Sequence, residues 1–122
     1  MKSFLLVFLG GGLGSALRYL VASAMNQYSK VLPFGTFTVN ILGCLLIGMI
    51  LGYAQKENTL TSNQILLLTT GFCGGFTTFS AFANENLELI KNGEIFNFSV
   101  YTICSILVGV LAVFIGFSLT NR

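Results

Sequence analysis

Polar side chains that could do chemistry are rare in this chain and sit inside apolar runs. Asn40 interrupts a stretch that begins at Phe34. Tyr101 and Ser105, four residues apart, interrupt another that begins at Ile95. Between them lies Gly71-Phe72-Cys73-Gly74-Gly75-Phe76-Thr77-Thr78-Phe79-Ser80-Ala81-Phe82, with three glycines and two adjacent threonines. These groups offer amide, hydroxyl and phenol hydrogen bonds rather than acid-base or nucleophilic power. Asn40 is costly in lipid unless bonded. It either bridges two helices or donates its NH2 to a bound anion. Phe79 and Phe82, three apart, share one helix face, as a core pair or as a wall. Tyr101, Ser105 and Gly109 recur every fourth residue. Their stripe serves helix packing and hydroxyl back-bonding, or lines a path.

Other chemistry is excluded by what is missing. The chain has no His, Asp or Trp, which removes most metal-ligand sets and any His-based triad. A net charge of +2 with no basic cluster gives nucleic acid nothing to bind. Cys44, Cys73 and Cys104 are too far apart for C-x-x-C and read as buried thiols.

The elements that hold these groups follow from composition. The 122 residues are 54% hydrophobic and 8% charged, with a mean hydropathy of +0.84. Soluble domains carry about 25% charged residues, so residues 1–122 read as one all-α membrane domain. Four spans of roughly 20 residues are expected: Ser3 to about Met25, Phe34 to about Tyr53, Gln64 to about Leu89, and Ile95 to about Thr120. Lys2 ahead of an apolar run and Ala22-Ser23-Ala24 resemble a signal peptide. Gly10, Gly11, Gly12, Gly14 and Arg18 would spoil its core, so a retained first helix is expected. Gly10-x-x-x-Gly14 and Gly48-x-x-x-Gly52 are close-approach faces.

The third span is the unusual one. Gly and Thr weaken a helix through backbone entropy and χ1 restriction. Backbone opens at membrane depth only when it is buried in protein or lines a polar cavity. The stretch is a close-packing surface or a functional break, and the clustering of both residue types at one depth favours the break. Arg18 is the only basic residue well inside a predicted span. It snorkels to the interface or acts electrostatically. Glu85 and Glu88 are expected at the exit of the third span, as a solvated helix end.

Four spans place Lys2, Lys56 and Arg122 on one side, against Lys30 and Lys91, with Arg18 if it snorkels there. So small a Lys/Arg bias barely orients the chain. Insertion both ways round would permit an antiparallel homodimer with an axis in the membrane plane.

Taken in order, Gly14-x-x-x-Arg18-Tyr19, Gly35-Thr36-x-x-Val39-Asn40-x-x-Gly43 and Gly71-x-x-Gly74-Gly75-x-Thr77-Thr78-Phe79-Ser80-x-Phe82-x-x-Glu85 resemble the Fluc (CrcB) family of fluoride channels. The resemblance runs through nearly the whole chain. It implies a four-helix, dual-topology antiparallel homodimer in the bacterial inner membrane, with two pores that passively export fluoride. It implies a structural sodium ion on the backbone carbonyls of Gly74 and Thr77, at the break. Pore phenylalanines fall on Phe79 and Phe82, the second-helix asparagine on Asn40, and the polar track on Tyr101 and Ser105. Arg18 and Glu85 fall in the vestibule. A further track position that often carries a hydroxyl is Gly109 here, so that group is absent.

Fluoride is small and tightly hydrated, so a pore must replace its water with donors. Asn40, Thr78, Ser80, Tyr101 and Ser105 supply them, and the positive ring edges of Phe79 and Phe82 suit an anion. A small proton-coupled multidrug transporter would also be short and four-span, but it needs a membrane-embedded carboxylate, and the first acid, Glu57, is expected in a loop. A glycine-packed assembly subunit would leave the polar stripes unexplained. An enzyme would need an activated nucleophile or a metal set.

Overall fold

The computed structural model describes residues 1–122, the Glu57 side chain excepted. Its elements are α1 (Lys2–Asn26), α2 (Phe34–Glu57), α3 (Ser62–Leu66), a π-helical run (Leu67–Cys73), α4 (Gly74–Phe76), α5 (Phe79–Lys91) and α6 (Ile95–Thr120). No strand occurs among the described residues. Among the described residues, four segments are long and apolar enough to cross a membrane, the third being Ser62–Lys91.

The ends of the spans are set by local chemistry that hydropathy does not see. Helix α2 runs past Tyr53 through Ala54–Glu57, residues of good helix propensity. It stops at Asn58, whose φ of 49° is the left-handed conformation Asn tolerates at a helix end. Glu57 therefore belongs to a helix end and not to a loop. The third span starts at Ser62, two residues before Gln64, because Thr61 and Gln64 form a reciprocal cap. The Thr61 hydroxyl accepts from the Gln64 N–H (3.2 Å) and the Gln64 side chain accepts from the Thr61 N–H (2.9 Å). Asn26 accepts from the Gly35 N–H at 2.9 Å, tying the end of α1 to the start of α2 across the first loop.

The third span departs twice from α-helix. Over Leu67–Cys73 the turns widen to π geometry, a form that recurs at functional sites. After α4, Thr77 (φ −89°, ψ 158°) and Thr78 (φ −150°, ψ 125°) are extended, and a new helix begins at Phe79.

Glycines decide which helices meet. A Cβ on Gly10 would strike the Leu67 carbonyl, and one on Gly14 the Phe72 carbonyl, so one face of α1 lies directly on the π-helical run. A Cβ on Gly48 would strike the Val113 carbonyl and one on Gly116 the Leu45 carbonyl. This is the seam of α2 on α6, the most extensive helix pair in the chain. Backbones this close are how helices associate in lipid, where apolar burial drives nothing. The buried apolar core is small: Val39, Cys73, Phe76, Leu89, Tyr101 and Ala112.

Candidate functional site

Thr36, Asn40 and Cys44 stand four apart on α2, facing the interrupted third span and α6. Asn40 holds the interruption in place. Its amide donates to the Thr78 carbonyl at 3.0 Å and accepts from the Thr78 N–H at 2.7 Å. A two-sided clamp of this kind satisfies backbone that the break would otherwise leave bare. One Asn40 N–H remains for other partners. Of the two roles open to Asn40, the interhelical bond is present in the structure.

Diverting the Thr78 N–H to Asn40 has a consequence one turn back, since in a continuous helix it would close onto the Gly74 carbonyl. The Ala81 N–H, which would close onto the Thr77 carbonyl, goes instead to the Thr78 hydroxyl at 3.2 Å. Gly74 and Thr77 therefore both lose their helical donors. Between them, the Gly75 carbonyl accepts from Arg18 Nε at 3.0 Å and from the Ser15 hydroxyl at 3.3 Å. Arg18 thus points into the fold at the break rather than away to an interface. Thr77 Oγ1 donates back to the Cys73 carbonyl at 2.9 Å.

A cavity of about 290 Å³ opens beside the break, lined by Asn40, Cys44, Thr77, Thr78, Phe79, Phe82, Ser105 and Ile106. Six residues singled out by sequence meet here: Asn40, Thr77, Thr78, Phe79, Phe82 and Ser105. Phe79 and Phe82 lie 5.7 Å apart between centroids, tilted by 46°. Phe79 is 79% exposed in the single chain. The Ser105 hydroxyl is buried and has no hydrogen-bond partner among the described residues. Thr78 caps α5 and shares a 3.2 Å contact with Ser80, whose side chain is exposed. The positive end of the α5 dipole is therefore next to the cavity.

Tyr101 stands apart from this cavity. Its ring meets Phe82 edge-on, 5.1 Å between centroids. Its phenol donates to Glu85 Oε2 at 2.8 Å, while Thr36 donates to the other Glu85 oxygen at 2.5 Å. Glu85 is thus no solvated helix end. It is half-buried and bound by α2 and α6 together. Glu88 is exposed and pairs with Lys91 at 3.4 Å, as expected of a helix end. Arg18 and Glu85 line one cavity of about 460 Å³ with Ser15, Thr36 and Thr78. Gly109 is buried, and the Cys44 sulfur lies 3.7 Å from where a Gly109 Cβ would stand.

Sequence reasoning passed over Cys44 and Thr36 as site residues. Their spacing of four from Asn40 was the available signal. A third cavity, of about 420 Å³, is bounded by Gly43, Thr70, Cys73, Gly74 and Thr77, with Gly74 and Thr70 exposed in the single chain. No group of three or more His, Cys, Asp or Glu fit to hold a metal occurs among the described residues. An ion at the break would have backbone oxygen for ligands.

The family model described as CrcB-like protein, Camphor Resistance (CrcB), matches residues 5–117. This chain belongs to the CrcB family. CrcB relatives include a protein named fluoride-specific ion channel FluC in Phocaeicola vulgatus, 52% identical over 118 residues, covering 95% of this chain and 96% of the relative. The protein of that name in Flavobacterium psychrophilum is 44% identical, covering 95% and 94%. The one in Gloeothece citriformis is 48% identical, covering 100% and 99%. These CrcB relatives are ion channels and not enzymes. With four candidate spans, this CrcB chain is a multi-pass membrane protein.

Proposed function

We propose that the chain forms a fluoride-selective channel that lets fluoride leave the cell down its gradient. The observation that carries the reading is the Ser105 hydroxyl, buried without a partner in the wall of a cavity faced by Asn40, Phe79 and Phe82. A buried hydroxyl left unbonded costs about 1–3 kcal/mol. A passing anion would accept from it and remove that cost. In the same cavity wall stand Asn40, with one N–H to spare, and two phenylalanines, whose ring edges are positive, beside the start of α5. All present positive potential and none carries a full charge. Such a set replaces part of a hydration shell and still lets the ion go. Glu85, a carboxylate within the third span, has both oxygens hydrogen-bonded, which disfavours its use as a freely exchanging proton carrier.

The finer reading is an antiparallel homodimer with two pores. It is supported by the exposure of Phe79, Thr70 and Gly74 on a span that lipid alone would surround. A second copy would cover them. A sodium ion fits the break, because the carbonyls of Gly74 and Thr77 have both lost their helical donors and hard cations take oxygen ligands. Such an ion would supply positive charge and tie the carbonyls of two copies together. Arg18 and Glu85 form the vestibule wall, Arg18 by fixing Gly75 and Glu85 by fixing Tyr101.

The test is fluoride efflux from liposomes holding the purified protein, with chloride as control. Rapid fluoride loss with chloride retained is expected. Vesicles that keep both ions as protein-free vesicles do would reject the channel reading.

A further inference from the structure

Two cavities meet at Pro33, away from the break. One is a groove of about 190 Å³ between the starts of α2 and α6, walled by Leu32, Phe34, Phe37, Val100, Tyr101 and Cys104, and its open lining is wholly apolar. Phe34, Val100 and Cys104 are exposed, while Tyr101 is buried behind them. The other, of about 440 Å³, is lined by Lys30, Pro33, Glu85, Glu88, Asn92 and Glu94. An apolar slot on a membrane span thus continues, past one proline, into a polar chamber near the first loop.

The chamber holds one ammonium and three carboxylates. Glu85 is already bound on both oxygens, by Thr36 and Tyr101. Glu94 accepts from Asn97 on one oxygen and Glu88 from Lys91 on one, which leaves each a free acceptor. Lys30 has no hydrogen bond or ion pair among the described residues. A ligand for this chamber carries a phosphate for Lys30 and, beside it, a primary ammonium with N–H donors for Glu88 and Glu94. A lipid of net negative charge would set its phosphate among carboxylates with no cation of its own.

We propose that groove and chamber form one site for an aminophospholipid of the phosphatidylethanolamine class, with an acyl chain along Phe37 and Val100 and the headgroup beyond Pro33. Hydrocarbon surrounds these spans, so the tail needs no other source. The tail abuts Tyr101, whose ring meets Phe82 and whose phenol holds Glu85. One ring contact, Tyr101 on Phe82, therefore stands between the lipid site and the cavity at the break.

Cys104 reports occupancy without touching the break. Wild-type protein in detergent micelles is doped with phosphatidylethanolamine, phosphatidylcholine or phosphatidylglycerol. Alkylation of Cys104 by N-ethylmaleimide is then followed by peptide mass spectrometry. Phosphatidylethanolamine should slow alkylation about fivefold more than either other lipid. Glu88→Gln together with Glu94→Gln, which removes the carboxylates facing the ammonium, should erase that difference, whereas Lys30→Gln should weaken protection by all three lipids alike. Equal protection by all three lipids, or best protection by phosphatidylglycerol, overturns the proposal. So does a Cys104 that resists alkylation in lipid-free micelles, because a second copy would then cover the groove. No fluoride measurement enters, so this result and the channel reading fail separately.

Discussion

Ser105→Ala separates a pore hydroxyl from a structural one, because the two roles predict opposite signs. The Ser105 hydroxyl is buried without a partner among the described residues. Removing it relieves an unmet hydrogen bond, so the variant should unfold at the same or a higher temperature, with a gain of up to about 1–3 kcal/mol. Fluoride in the cavity loses a donor at the same time. A hydrogen bond to a charged partner contributes about 1.5–3 kcal/mol, which corresponds to roughly 10- to 150-fold slower efflux at constant barrier shape. The assay pairs thermal unfolding in detergent with electrode-monitored fluoride efflux from liposomes. A variant that loses stability and conducts normally would refute the reasoning, since the hydroxyl would then be bonded within the protein and idle toward the ion.

Phe79→Ile or Phe82→Ile should abolish efflux while leaving the assembly intact by gel filtration, since ring edges are lost and volume is nearly kept; normal flux rejects the pore assignment. Asn40→Asp keeps an acceptor for the Thr78 N–H but sets a carboxylate against the Thr78 carbonyl. Conduction should fall at least about tenfold with a stability loss of about 1–3 kcal/mol, and unchanged flux would count against any ion contact at this position. Gly48→Ile drives a side chain into the Val113 carbonyl and should cost about 3 kcal/mol or more. Unaltered unfolding would show that the α2–α6 seam can open.

The four spans were legible because an apolar run of some 20 residues has few alternatives in a chain so poor in charge. Their ends were less so, because Thr61–Gln64 and Asn58 act through hydrogen bonds and dihedrals that hydropathy ignores. Asn40, Thr78, Phe79, Phe82 and Ser105 were foreseen as site residues, and the structure gathers them around one cavity. What sequence could not show was which polar group each would meet. Arg18 looked like a snorkelling or steering charge because its partner, the Gly75 carbonyl, is 57 residues away and has no side-chain signature. Glu85 looked like a helix end because Thr36 and Tyr101 approach from two other helices. The π turns over Leu67–Cys73 carried no pattern beyond Gly and Thr.

Gly75 is gripped by Ser15 and Arg18 from the first span, and Thr78 by Asn40 from the second. The extended pair of threonines is therefore a knot tied by three separate spans, not a kink private to one. A random-mutagenesis search for transport defects should accordingly return hits at Ser15, with no atom lining the cavity at the break, as readily as hits among the aromatic rings. Residues sorted only by distance from the ion would misfile them as structural noise.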